Sequence, residues 1–149
     1  MELHMGCGHL DDAAFLEAFE NCNLPHGIFH HADHVRLAWL YVGKYGAVES
    51  EQRLLDGIRK MAACANAPAK FLYTTTVAWA RLVASARAQS PTKESFVVWV
   101  ENFPELLDRD LLAKYYSKER LTSPESRAGW LEPDFAPLEI SQRSTRAAS

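Results

Sequence analysis

The chain has 149 residues, 48 % of them hydrophobic and 23 % charged, with a formal net charge of −3 and a pI near 6.1. That length fits one domain able to bury about two thirds of its unfolded surface. The acidic balance speaks against a nucleic-acid partner, which requires a basic face, and no apolar run reaches the length of a membrane span.

The N-terminal MELHMGCGHL lacks the basic and apolar regions of a signal peptide. It reads as a mobile tail. Cys7, Cys22 and Cys64 are odd in number, widely spaced and without a CxxC pair, so no disulfide framework is expected. A reducing, cytoplasmic setting follows from that reading, with Cys64 as a small buried hydrophobe.

Helical periodicity dominates from there on. Residues 10–22 form a first helix with acidic residues in its first turn, where the helix dipole favours them. A second helix runs over residues 29–45 and stops at Gly46, a natural residue just past a helix end. Residues 48–65 form a third. Leu54, Ile58, Met61 and Ala65 share one of its faces, while Glu49 with Arg53 and Asp56 with Lys60 make acid-before-base pairs on the other.

NAPA then breaks the chain before a fourth helix over residues 68–88. Ser90-Pro91 reads as a cap followed by proline at the first helical position, opening a fifth helix through about Asn102. Beyond Pro104 come one or two short helices, and Ser123-Pro124-Glu125 repeats the cap-plus-proline signal for a last one ending near Trp130. The expected architecture is all-α, a single-domain bundle of about five to six helices over residues 1–138. Residues 139–149 are polar, aperiodic and expected as a flexible tail.

The second helix carries the most informative stretch, HGIFHHADHVRLAW at residues 26–39. All six histidines lie in the first 34 residues, four of them between His26 and His34. At about 100° per residue, Asp33, Arg36, Gly43 and Lys44 fall on one side. Val35, Ala38, Tyr41, Val42 and Tyr45 fall on the other, together with His31 and His34. His30 lies at the boundary. Asp33 and Arg36 therefore read as a solvated ion pair, whereas the two histidines read as inward and one turn apart.

Two buried imidazoles need either mutual hydrogen bonding or a shared ligand. His31 and His34 could ligate a divalent transition metal such as zinc, with a third ligand from His30, His26, Glu17 or Glu20. No HExxH or Glu-x-x-His pattern supports this. Without metal, either histidine could act as a general base. A structural network is the plain alternative.

The fourth helix contains KFLYTTTVAWARLV, residues 70–83. Leu72, Thr75, Thr76, Trp79, Leu82 and Val83 share its apolar side. The threonine hydroxyls either bond back to the preceding turn or help line a pocket facing the histidines. In the segment that follows, Arg127 either meets an anionic ligand or ties the terminal segment to the bundle.

The string Phe29-x-His31-x-Asp33-His34-x-Arg36-x-Ala38-Trp39, followed by Thr74-x-Thr76-x-Ala78-Trp79, resembles a group of small uncharacterised bacterial all-helical proteins. The likeness spans about residues 25–130 and implies no activity. In that group a His-Glu pair often precedes the first threonine; here those positions are Leu72 and Tyr73. If the histidine is a ligand in the group, its loss implies a truncated metal site here.

Two functional expectations emerge. The first is a pocket between the histidine and threonine helices, with His31 and His34 as catalytic or metal-ligating residues. Tyr41, Tyr45, Thr75, Thr76 and Trp79 would line it around a small molecule or a metal ion. The second is a non-catalytic protein-interaction bundle in which the histidines only hydrogen-bond internally.

Overall fold

The computed structural model describes residues 5–24, 29–90 and 94–141. Helix α1 spans Asp12–Glu20, α2 His31–Cys64, α3 Tyr73–Gln89, α4 Phe96–Val100, α5 Lys118–Leu121 and α6 Pro124–Ala128. Short 3-10 turns occupy Pro68–Lys70, Pro104–Leu107 and Leu111–Lys114. Among the described residues there is no strand, and the fold is all-α. No helix there is long and apolar enough to cross a membrane.

The expected second and third helices are the two arms of α2, joined at Gly46. That residue has φ 85° and ψ 172°, so the helix is interrupted there without a connecting loop. A side chain would be strained at this φ, which is why glycine suits the joint. Leu54, Ile58 and Ala62 of the second arm are buried, with Met61 packed at the edge. The Glu49–Arg53 ion pair forms at 2.8 Å. Asp56 and Lys60 do not pair: Asp56 accepts from Gln52, and Lys60 donates to the carbonyl of Glu20.

α2 packs mainly against α3, and α1 against α2. The core they share contains Phe15, Phe19, Leu37, Leu54, Leu82 and Trp99, each fully buried. Gly57 allows a close approach of α1, since a Cβ there would stand 2.6 Å from the ring of Phe19.

The fourth expected helix begins only at Tyr73, after the 3-10 turn at Pro68–Lys70. Ser90 closes α3 instead of opening the next helix; α4 starts later, capped by Ser95, and Pro91 lies outside the described residues. Ser123 caps α6 as expected, accepting from the backbone N–H of Ser126.

Three expectations near the termini are corrected. The first segment is not a mobile tail from residue 5 onward, because it wraps over α2 with Cys7 fully buried. Asp33 and Arg36, expected in solvent, are the groups that hold it and are 0 % and 6 % exposed. The carboxylate of Asp33 accepts the backbone N–H groups of Gly6, Cys7 and His30 at 2.8, 3.0 and 2.8 Å. Arg36 donates to the carbonyls of Cys7 and Leu10 and to Asp12, and its guanidinium lies 4.5 Å from the ring centre of Phe15. At the other end the chain is still held at Glu139 and Ile140: Tyr115 donates to the Glu139 carbonyl, and Ile140 is buried. Residues 142–149 lie outside the described residues.

The cysteines also depart from expectation. Cys22 and Cys64 form a disulfide across 42 residues, joining the end of α1 to the end of α2. Cys64 is thus exposed and covalently paired instead of a buried hydrophobe. The pairing removes the argument on which a reducing compartment rested. Cys7 is the free thiol, pushed up to about 11 by burial and by the charge of Asp33.

Candidate functional site

His31 opens α2, and its Nε2 meets the carbonyl oxygen of Leu106 at 2.9 Å. The neutral imidazole donates in that bond, because the carbonyl can only accept. The ring also stands edge-on to Trp79, with centres 4.6 Å apart. Burial, partly offset by the Leu106 bond and aided by the charge of Arg109, lowers its pKa. His31 therefore links α2, α3 and the Pro104–Leu107 turn as an uncharged group.

His34, one turn on, packs against Phe29 with ring centres 5.9 Å apart. Its ring makes no hydrogen bond among the described residues. Burial first, and the neighbouring His31 second, push its pKa down to about 4. The two histidines do share one side of α2, as the wheel predicts. His26 lies outside the described residues, and His30 precedes the helix with its backbone N–H on Asp33.

Among the described residues no three of His, Cys, Asp and Glu stand together as a metal-binding group. Of the acids considered as a third ligand, Glu20 accepts the hydroxyl of Tyr41 at 2.6 Å. Tyr41 and Tyr45 form a separate cluster on the first arm of α2. Their rings are 5.7 Å apart, and the guanidinium of Arg53 lies 3.8 Å from the centre of Tyr45. Burial and the Glu20 carboxylate raise the Tyr41 pKa.

The threonines divide three ways. Thr76 bonds back to the carbonyl of Leu72 at 2.8 Å, the ordinary helical arrangement. Thr74 is fully buried and staples the C-terminal segment: it donates to the Gly129 carbonyl at 2.6 Å and accepts from the N–H of Leu131 at 3.1 Å. Thr75 lines a cleft.

That cleft, of about 450 Å³, lies between the start of α3, the Leu111–Lys114 turn and the α5–α6 region. Thr75 and Trp79 form one wall; Leu112, Tyr116 and Leu121 supply apolar and aromatic surface opposite. Arg109, Lys118 and Arg127 bring cationic side chains to it, and Asp110 a carboxylate. Trp79 is therefore a common wall, touching His31 and also facing the cleft. Arg127 also donates to the carbonyl of Ala69 at 3.0 Å, so it ties α6 to the Pro68–Lys70 turn as well as reaching the cleft.

Of the seven expected pocket residues, Thr75 and Trp79 meet here. His31 stands behind Trp79, and the remaining four lie elsewhere. Arg109, Lys118 and Leu121 were not anticipated. They come from segments whose short helical pieces carry no periodic signal, whereas Arg127 stands out by its position after a cap.

A second pocket of about 280 Å³ is lined by Phe19, Phe29, Ile58 and Met61 beside the disulfide. Comparison with known protein families, with characterised proteins and with solved structures finds no match for the chain.

Proposed function

We propose that this helical protein binds a small organic molecule in the cleft walled by Thr75 and Trp79. The observation that carries the reading is the composition of that cleft: apolar and aromatic surface with a few converging polar side chains, at about 450 Å³. Small-molecule sites have this character and lie in this size range, roughly 300–1,000 Å³. His31, neutral and anchored to the Leu106 carbonyl, then serves to fix the indole of Trp79 against which a ligand would lie.

The test is fluorescence titration with 8-anilinonaphthalene-1-sulfonate against the wild type and an Ala113→Trp variant. Ala113 is exposed on the rim, so the added indole fills the cleft without disturbing the core. Saturable binding that disappears in the variant, with helical content unchanged, is the expected result. Binding that persists undiminished in the variant places the probe elsewhere and overturns the reading.

A further inference from the structure

We propose that the cleft selects organic anions, holding an acidic head group with Arg109, Lys118 and Arg127 and an apolar body against Leu72, Leu112 and Leu121. The inference rests on the cleft being a ligand site and adds the chemical class of the ligand.

The first support is charge. The chain as a whole carries −3, yet this lining gathers three cations against the single carboxylate of Asp110, a local excess of two positive charges. Like charges gathered in excess of one carboxylate repel one another, modestly here because these side chains are exposed. A bound anion relieves that repulsion.

The second support is the availability of the cations. Elsewhere in the described structure, Arg36, Arg53, Arg81 and Lys114 are engaged with carboxylates, and Lys60, Arg87 and Arg120 with backbone carbonyls. Arg109 and Lys118 have no ion-pair partner among the described residues. Arg127 spends one nitrogen on Ala69 and is thereby oriented, while the rest of its planar donor fork is left for a second acceptor. Arginine forks suit carboxylates, sulfonates and phosphate monoesters, which present paired oxygens. Thr75 adds a hydroxyl at the same wall.

The third support is the apolar half of the lining. Leu72, Leu112, Leu121 and the ring of Tyr116 offer no hydrogen-bonding complement to a polar body such as a sugar. A small inorganic ion would leave that surface wet. An acid with an aromatic or aliphatic body fills both halves.

Two probes of nearly the same shape test this: 8-anilinonaphthalene-1-sulfonate, an anion, and N-phenyl-1-naphthylamine, its neutral counterpart. Each is titrated against the wild type, Arg109→Gln/Lys118→Gln and Ala113→Trp. The substituted cations are exposed, so the double variant keeps the core intact. We expect the anion to bind about tenfold or more tighter than the neutral probe in the wild type. That preference should shrink with added salt and collapse in the double variant, and Ala113→Trp should abolish binding of both. If the probes bind equally and the double variant changes neither, anion selection is refuted while the cleft remains a ligand site. If neither probe is sensitive to Ala113→Trp, the cleft reading itself falls, and the anion inference with it.

Discussion

Protonation of His34 should destabilise the fold, and the size of the effect follows from its surroundings. Its ring sits against Phe29, has no hydrogen-bond partner among the described residues and faces a second imidazole at His31. Burial and that neighbour disfavour the cation and lower the pKa from 6.5 to about 4. Between these values the unfolded chain binds a proton that the folded chain refuses. Stability is therefore complete above pH 6.5 and falls as the pH drops toward 4, levelling off below. At 1.36 kcal/mol per pH unit, the loss from this group is about 2.5 kcal/mol by about pH 4.5. His31, lowered in the same direction, adds to the trend.

Carboxylates also begin to titrate in that range, so the informative quantity is a difference. Urea unfolding followed by circular dichroism, at about pH 7.5 and about pH 4.5, is compared between the wild type and His34→Gln. Glutamine preserves polarity and approximate size but cannot take up the proton. The wild type should lose about 2.5 kcal/mol more than the variant across the interval. Parallel losses in the two proteins would refute the reasoning and mean that water reaches the His34 ring freely.

Two further predictions concern the parts that hold the bundle together. Replacing Asp33 with alanine leaves three buried or half-buried backbone N–H groups without their acceptor, while Arg36 keeps its ion pair with Asp12. A loss of about 3 kcal/mol or more is expected from the unsatisfied donors, with Asp33→Asn intermediate. Proteolysis within residues 5–10 should accelerate alongside the urea shift, and a change below about 1 kcal/mol would show that water replaces the carboxylate. Replacing Cys22 and Cys64 together with serine frees a loop of 42 residues. Chain entropy assigns that closure about 4 kcal/mol, so the melting temperature should fall in the variant and, on adding a reductant, in the wild type alone.

Helices were legible because their signals are local. The apolar face at Leu54 and Ile58, the break at Gly46 and the Ser123-Pro124 start depend on residues within a turn or two of one another. The same holds for the shared face of His31 and His34. The Ser90-Pro91 signal failed because α3 runs on to Gln89, so Ser90 closes that helix and the next one starts at Ser95.

Asp33 and Arg36 show where local reading stops. The wheel placed them opposite the core, and in α2 alone that side is polar. The first described segment folds over that side and supplies backbone groups that only a carboxylate and a guanidinium can satisfy together. A helical wheel knows one buried face, whereas this helix has two.

The cysteines and the cleft have the same cause. Spacing along the chain says nothing of Cys22 and Cys64 meeting, since helices α1 and α2 must dock first. Arg109, Lys118 and Arg127 converge from the turns and short helices that follow α4. Sequence by itself determined that the chain is helical, where its longest helices break, and that His31 and His34 share a side of α2. Which face is covered twice, which cysteines pair and which cations converge beside Trp79 were decided by tertiary packing, because each depends on contacts between segments tens of residues apart.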